Sequence, residues 1–394
     1  MSDYDVVVVG GRVAGASTAM LLARAGLRVA VLDRGRYGSD TLSTHALMRA
    51  GVLQLSRWGL LPRIVGAGTP AVPVVTFFYE EREPVQISIR PSAGVDALYA
   101  PRRYLLDRTL VDAAVEAGAE VLHETRVVDL LRDDTGRVTG VVTSDSAATR
   151  SITADLVIGA DGISSVVARN VGAATLRQAD WAGAVQYAYF SGVEATGYHW
   201  AYGNGAGAGM IPTNDGQALG FVSTAPERMR SLRSGRTATE MFDVLWRLAA
   251  PRLADRLHGA ERASRQHGFG GIPGFIRQSS GPGWALIGDA AYFKDPITAH
   301  GITDALRDAE LLATAVVEAI SGARSEQAAM ADYAATRDRL SDDLFGVTDE
   351  IATYAWEIDE VPSLMRRVSA AMTDEVEYLE SLPTWQSGMT SVQR

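Results

Sequence analysis

The sequence predicts an α/β protein in which a parallel-sheet domain is interleaved with a mainly antiparallel β-sheet domain and is followed by C-terminal helices. A buried-strand pattern, a glycine-rich turn and a helix open the chain, and similar strand-turn patterns return near residues 156 and 284. Between these last two, residues 175–269 are rich in aromatic side chains and short strand patterns. This alternation indicates two domains that share one chain rather than two consecutive ones.

Composition limits the class of protein. The chain has 394 residues, and its 37 Lys and Arg residues against 47 Asp and Glu residues give a net charge of −10. An acidic chain is a poor match for nucleic acid or an anionic membrane. The absence of cysteine excludes disulfides, a thiolate nucleophile and zinc–cysteine sites. No transmembrane or secretory pattern is visible, so we expect a cytoplasmic protein.

The first unit of the chain predicts a dinucleotide site. Residues 6–9 are four valines, typical of a strand buried on both faces, and residues 16–25 have the spacing of a helix. A second strand over 27–32 ends at Asp33, which is 33 − 10 = 23 positions after Gly10. An acid about 20 residues after the first glycine is typical of the residue that binds ribose in Rossmann-like βαβ units.

The turn between this first strand and helix supplies five candidate cofactor-binding residues: Gly10, Arg12, Val13, Ala14 and Gly15. Gly10 permits the sharp turn, and Gly15 permits close packing of helix on strand. The helix N-terminus offers free amides and a positive dipole end to a pyrophosphate. Arg12 stands where the pattern has its second glycine, so its side chain must swing aside or contact the phosphates. The alternative is a purely structural βαβ unit.

Two later turns fit the same ligand. Residues 155–160 read as a buried strand that ends in Asp161-Gly162, and Gly288-Asp289-Ala290-Ala291 follows another strand. An acid at a strand tip can accept a hydrogen bond from a ribose or ribitol hydroxyl. Pro296 and Gly301 then precede a helix over 302–315, whose first amides can face an electron-rich ring atom. Each pattern is common alone, but three in this order favour one shared cofactor.

The remaining patterns complete the predicted domains. Strands are predicted over 74–79, 85–89, 120–122, 127–131 and 138–143, a helix over 103–117, and amphipathic helices from about residue 325. We assign 1–73, 98–174 and 270–324 to the cofactor domain. Residues 74–97 and 175–269 form the substrate domain, and 325–394 form a C-terminal helical segment.

These motifs together resemble the FAD-dependent monooxygenases of the p-hydroxybenzoate hydroxylase (group A) type, in the wider class of geranylgeranyl reductases and flavin-dependent halogenases. The matching residues are the turn at 10–15, Asp161-Gly162 with Arg169, the helix at 103–110, and Gly288-Asp289-Ala290-Ala291 with Pro296, Gly301, Asp308 and Ala309. The resemblance covers residues 3–34, 99–169 and 284–314.

The resemblance implies an FAD-binding, Rossmann-like domain of the GR2 type. Asp33 and Arg34 would meet the adenosine ribose, and the backbone of Val127 would meet the adenine. Arg103 and Asp289 would contact the central part of FAD, and Gly301 with Ile302 the pyrimidine edge of the flavin. Asp161, Gly288 and Pro296 belong to the cofactor motifs. No metal is expected.

The resemblance also implies a reaction. NADPH or NADH would reduce FAD in a transient encounter, and a flavin C4a-hydroperoxide formed with O2 would insert one oxygen atom into an aromatic or polycyclic small molecule, as in secondary metabolism. The alternative is a flavin-dependent dehydrogenase or prenyl-chain reductase. The halogenase subclass fits less well, because its Trp-x-Trp-x-Ile-Pro signature is absent. The protein would act as a monomer or homodimer.

Three residues are catalytic candidates. His300 stands just before Gly301, and His45 begins a predicted helix that the family places beside the ring. Either histidine could instead be a structural, hydrogen-bonded residue. Lys294 is the single lysine of the chain, and the alternative is a solvated loop residue. We expect the substrate pocket, or else the core of the middle domain, to contain the following residues: Trp181, Tyr187, Tyr189, Trp200, Tyr202, Met210 and Phe221.

Overall fold

The computed structural model describes residues 2–144, 149–257 and 259–385. The helices, numbered α1 to α10 in chain order, are Val13–Arg24, Arg49–Arg57, Leu61–Gly66, Arg103–Glu116, Val166–Val171, Pro226–Arg233, Ala238–Ala249, Gly301–Ile320, Glu326–Ala352 and Val361–Ser381. The strands β1 to β10 are Tyr4–Val9, Val29–Leu32, Val74–Tyr79, Val85–Ser88, Glu120–Leu122, Arg126–Arg132, Val138–Ser144, Thr149–Gly159, Thr175–Gln178 and Ala184–Ser191. The strands β11 to β19 are Tyr198–Gly203, Ala206–Pro212, Ala218–Thr224, Glu261–Arg262, His267–Phe269, Phe275–Arg277, Ser280–Gly281, Trp284–Leu286 and Tyr292–Phe293.

The first sheet has a parallel centre, as the valine-rich strands predict. Strands β18, β8, β1, β2 and β5 lie side by side and all pair in parallel. Because parallel strands share one direction, their carboxyl ends meet at one edge, where ligands of such sheets bind. The turns after β1, β2, β8 and β18 therefore lie together.

Layers cover both faces of this sheet. Helices α1, α4 and α8 contribute residues such as Leu21, Leu106 and Leu306 to a core on one face. The antiparallel pair β6–β7 and helix α5 cover the other, where Val141 and Val167 pack on Val157. Burial on both sides explains why residues 6–9 of β1 are all valines rather than an alternating pattern.

The second sheet is mainly antiparallel, in the order β14-β10-β13-β12-β11-β3-β4, with only the β11–β3 pair parallel. Met210 and Ala208 face helix α7, where they pack near Phe242 and Trp246. Alternate residues of the same strands point to the opposite face. That face contains a cluster of aromatic rings that lies against the α9–α10 connection and the start of α10.

The domain boundaries predicted from the sequence stay a prediction, although the two large sheets draw their strands from the predicted segments. One strand differs from its predicted placement: β9, at the start of the 175–269 segment, pairs with β16 and not with the second sheet. In the described part of the chain, no helix is both long enough and apolar enough to span a membrane.

Candidate cofactor and active site

A cavity of about 580 Å³ opens at the carboxyl edge of the parallel sheet. It brings together the three predicted turns, each of which is more than 100 residues from the next in the chain. Every predicted site residue except Gly15 and Gly288 lines this cavity. The lining predicted residues are Gly10, Arg12, Val13, Ala14, Asp33, Arg34, His45, Arg103, Val127, Asp161, Asp289, Lys294, Pro296, His300, Gly301 and Ile302.

Gly15 and Gly288, the two exceptions, allow neighbouring parts of the backbone to pack closely. A Cβ atom on Gly15 would lie 1.8 Å from the carbonyl oxygen of Gly10, so no other residue fits there without displacing the turn. Gly288 has a φ of 56°, and a Cβ on it would lie 3.0 Å from the Cβ of Ala14. These glycines allow the first and third turns to approach each other.

The side chain of Arg12 does not extend across the N-terminus of α1. Its guanidinium lies to the side, where it donates to the backbone oxygen of Ser39 at 2.8 Å and to Asp107 Oδ2 at 2.7 Å. Arg103 donates to the other oxygen of the same carboxylate at 3.0 Å. Asp107 therefore holds two cavity-lining arginines in place, which explains how the chain accommodates a long side chain at the position of a glycine.

Asp33 and Asp161 shape their turns with both oxygens. Asp33 accepts hydrogen bonds from the amides of Gly11 and Gly35, each at 2.6 Å. Asp161 accepts from the Ser165 hydroxyl at 2.5 Å and from the Val166 amide at 2.6 Å, at the beginning of α5. A carboxylate has about four acceptor positions, so neither set of bonds excludes a ribose hydroxyl.

Asp289 differs from these two acids because it is half-buried and forms no hydrogen bond or ion pair with the described residues. Burial, together with the nearby charge of Asp304, raises the pKa of Asp289 to about 6. A carboxylate left without a protein partner in a cavity wall is an available acceptor for a ligand hydroxyl.

Lys294 is not the solvated loop residue that the sequence left as an alternative. Its side chain is buried and forms an ion pair with Asp304, and its ammonium lies 4.8 Å from the ring centroid of Tyr292. Asp304 also contacts Arg307 at 3.2 Å. Two cations neutralise the side-chain carboxylate of Asp304, and this attraction offsets the free-energy cost of burying the three charges.

His300, the residue before α8, is buried and its Nε2 lies 2.7 Å from Glu375 Oε2 on α10. Its Nδ1 has no hydrogen-bond partner in the part of the chain that the structure describes. Ligand atoms of His300, Asp304 and Glu375 lie within 4.8 Å of one another, the spacing of a metal site. Arg307 and Lys294 occupy these carboxylates, so the cluster is an ion-pair network.

His45 occupies a left-handed backbone conformation, with φ of 46°, and its Nε2 lies 3.1 Å from the hydroxyl of Tyr189. Burial and the nearby charge of Arg102 lower the pKa of His45 to about 3. The imidazole is therefore neutral at physiological pH. Its Nδ1, like that of His300, has no partner in the described residues.

The aromatic residues expected around the substrate divide into three groups. Tyr187 lines the cavity, whereas Tyr189, Trp200, Tyr202 and Phe221 are buried in the cluster behind it. One expectation is wrong, because Trp181 is 54% exposed. Met210 lies in the core of the middle domain, the alternative that the sequence left open, because strand alternation turns it toward α7.

The sequence reasoning missed part of the lining. Phe269, Tyr292, Phe293 and the loop over residues 41–46 also contribute to the wall. Asp304 is a cavity residue that its spacing could have indicated, because it lies one helical turn after His300. Glu375 comes from α10, far along the chain, and no local pattern marks it.

Comparison with known proteins identifies the family. Residues 3–346 match the FAD-binding domain family, so the chain belongs to that family and is an FAD-dependent oxidoreductase. A digeranylgeranylglycerophospholipid reductase 2 from Methanothermobacter thermautotrophicus is 29% identical over 349 residues, which are 84% of this chain and 82% of the relative. A 1H-pyrrole-2-carbonyl-[peptidyl-carrier protein] brominase from Pseudoalteromonas luteoviolacea is 24% identical and covers 81% of this chain and 79% of its own.

The fold is also similar to the folds of solved flavoprotein structures. The structure of pqsL, a probable FAD-dependent monooxygenase from Pseudomonas aeruginosa, superposes with a TM-score of 0.78 at 22% identity, covering 94% of this chain and 99% of that one. The class expected from the sequence motifs, which spans monooxygenases, reductases and halogenases, is confirmed.

The residues present fit FAD. The first turn is tight: a Cβ on Gly10 would lie 2.4 Å from the carbonyl oxygen of Ala160. Asp289, whose carboxylate has no partner among the described residues, lines the same cavity as His45 and His300, each of which has an Nδ1 without a partner in the described residues. Together these features provide backbone amides for phosphates and polar atoms for hydroxyl groups and ring nitrogens.

Proposed function

We propose that this oxidoreductase is a monooxygenase that uses O2 and NADPH or NADH to insert one oxygen atom into an aromatic or polycyclic small molecule. The observation that carries the proposal is the composition of the cavity wall: Tyr187, Phe269 and Phe293 line the same cavity as the turn that leads into α8. Flat rings in a wall favour a flat, apolar substrate through stacking and shape. The cytoplasmic location predicted from the sequence is part of this proposal.

The residues of the chain would bind the cofactor, orient the substrate and keep water away from both. FAD supplies the electron-transfer and oxygen chemistry when it is bound. The turn after β1 would hold its phosphates, Asp289 would accept a hydrogen bond from its ribitol, and the first amides of α8 would bind its pyrimidine edge. Lys294 contributes a buried positive charge beside this position, and the aromatic wall excludes water from the substrate. His300 and His45 line the same cavity.

A second candidate is reduction of a prenyl chain. The observation that favours it is the 29% identity to the digeranylgeranylglycerophospholipid reductase over 84% of this chain. The cofactor contacts would be the same, and the substrate would differ.

The experiment that separates the two functions is product mass under isotopically labelled O2 with candidate aromatic and isoprenoid substrates. A monooxygenase product gains one labelled oxygen atom, and turnover stops under strict anaerobiosis. A reduced isoprenoid that gains two hydrogens without O2 would contradict the proposal. Bromide in a parallel reaction checks for halogenation, which would also contradict it.

A further inference from the structure

Two apolar side chains of the cavity wall are in contact with water. Leu42 lines the cavity and is 46% exposed, and Phe269 lines it and is half-buried. The other phenyl and phenol rings of the described wall are buried, and they belong to Tyr187, Tyr292 and Phe293. In the part of the chain that the structure describes, neither Leu42 nor Phe269 belongs to a hydrophobic core cluster. Both side chains therefore lie where the cavity opens to solvent.

The buried ring of Tyr187 connects the two positions. The amide of Ser43, the residue after Leu42, donates to the Tyr187 hydroxyl at 3.0 Å. His267, two residues before Phe269, stacks on the ring of Tyr187 with 5.0 Å between the ring centroids. The segments that carry Leu42 and Phe269 thus both contact one ring of the cavity wall, which places the two side chains around the same opening.

Backbone packing fixes the position of Phe269. In the antiparallel pair of β15 and β10, Phe269 lies opposite Val185, which also lines the cavity. Two residues later, Gly271 has a φ of 87°, and a Cβ on it would lie 3.0 Å from Cγ of Pro226 and 3.1 Å from the carbonyl oxygen of Gly183. The chain is therefore paired at Phe269 and closely packed just after it.

Polar contacts hold the segment around Leu42. Arg102 Nη2 donates to Asp40 Oδ2 at 2.8 Å, two residues before Leu42. The other oxygen of the Asp40 carboxylate accepts from the amide of Thr41 at 3.0 Å, and the amide of Ser43 is bonded directly after Leu42. Because both sides of the opening are anchored, its width is set by the folded protein. A preformed opening selects molecules by their size and shape.

We propose that Leu42 and Phe269 form the entrance for the substrate and determine the largest ring system that the cavity admits. The inference rests on the proposed use of this cavity by FAD and a flat, apolar substrate. FAD would occupy the part beside the turns after β1, β8 and β18, which leaves the part beside Tyr187 and Phe293 for the substrate. Contact with an apolar molecule removes the exposed surface of Leu42 and Phe269 from water, which favours its entry.

The test is the association of hydroxyarenes with the FAD-loaded, oxidised protein in the absence of NADPH and NADH. Naphthol, phenanthrol and hydroxypyrene increase in ring number in that order, and the change of flavin absorbance after rapid mixing gives each association rate constant. We expect the wild-type rate constant to fall by about tenfold or more at one step of this series. Phe269→Ala should restore fast association of the first arene that the wild type excludes, and Leu42→Trp should slow the largest one that it admits.

The matched control is Leu176→Trp. It adds the same side chain at a leucine of β9 that is 64% exposed and is not part of the described cavity wall, so it should keep the wild-type rate constants. Equal rate constants in wild type, Phe269→Ala and Leu42→Trp would overturn the proposal. A wild type that admits all three arenes equally fast, or none of them, would overturn it too, and so would an effect of Leu176→Trp as large as that of Leu42→Trp.

Chemical modification of the folded protein keeps the proposal testable if a variant does not fold. The chain has no cysteine, so Leu42→Cys supplies one thiol, which N-phenylmaleimide modifies after FAD has bound. We expect the modified protein to keep its FAD absorbance and to associate with naphthol about tenfold more slowly or less. Modified Leu176→Cys should behave as the wild type. Unchanged association after modification of Leu42→Cys would overturn the proposal.

Failure of this proposal is distinguishable from failure of the proposed function. The association experiment involves no hydride donor and no product, so its outcome leaves the choice between oxygenase and reductase to the product-mass experiment. Failure to bind FAD is seen separately, by absorbance, before any arene is added.

Discussion

The carboxylate of Asp289 is proposed to bind the cofactor, but its burial lowers the free energy of unfolding of the cofactor-free protein. The pKa of about 6 lies above the ordinary value of 3.8, so between these pH values the folded protein without cofactor holds a proton that the unfolded chain releases. The free energy of unfolding therefore falls as pH rises through this window, and the penalty persists above it.

We expect Asp289→Asn to raise the melting temperature of the cofactor-free protein more at pH 8 than at pH 5. The same variant should weaken FAD binding by about 1–3 kcal/mol, because the ribitol loses a charged acceptor. Thermal melts and FAD fluorescence titration measure the two effects. Asp134→Asn, at an exposed turn, is the control and should change neither. FAD affinity equal to wild type would remove Asp289 from the site.

Lys294 is the residue at which charge burial can be tested. The ion pair with Asp304 is almost fully enclosed. We expect Lys294→Met to lower the free energy of unfolding by about 3–5 kcal/mol, because it leaves a buried carboxylate with one cation in place of two. Denaturant unfolding measures the loss. Lys294→Met combined with Asp304→Asn should recover part of it, and a loss below about 0.5 kcal/mol in the single variant would contradict the argument.

At the scale of elements, helix α5 joins the second cofactor turn to the sheet. Asp161 and Ser165 both bond to the start of this helix, but only Asp161 lies in the cavity wall, where residues 162–164 follow it. The two side chains therefore share a capping role and differ in their relation to the cavity.

We expect Asp161→Ala and Ser165→Ala each to lower the free energy of unfolding by about 1 kcal/mol, the usual loss for a helix cap. FAD affinity should fall further in Asp161→Ala, because the turn over 162–164 is then released. Denaturant unfolding and FAD titration of the two variants make the comparison. Equal FAD affinities in both would show that the turn is held by other contacts.

The sequence predicted the positions of helices and strands better than it predicted which face of a strand lines the cavity. The valine run of β1, the helix at α4 and the strand at β3 follow from local patterns, and the structure places them as predicted, with ends that differ by a residue or two. The pocket side of the second sheet was harder to predict. Met210 and Tyr187 were both candidates for the pocket, but the register of β12 against β13 points Met210 toward α7. Register depends on pairing partners, and a single strand does not contain that information.

At the scale of the whole molecule, the cavity is formed by turns from both ends of the cofactor domain. We expect FAD to raise the melting temperature of the entire chain, because a ligand that binds only the folded state adds about 2.7 kcal/mol at a concentration 100 times its dissociation constant. NADH or NADPH alone should produce little change. Thermal melts across a concentration series of each nucleotide measure this. A larger shift with NADH or NADPH than with FAD would contradict the assignment of the cavity.

The sequence by itself determined the cofactor class, because the glycines at 10, 15 and 288 and the acids at strand ends obey local rules of backbone space and hydrogen bonding. It could not show that Arg12 is held aside by Asp107, that Lys294 is buried, or that Glu375 reaches His300. Those contacts join residues from about 10 to nearly 100 positions apart, whose side chains meet only after the sheet and its helices have packed. Local patterns therefore specify which turns form, and the tertiary structure decides which charges neutralise one another beside the cavity.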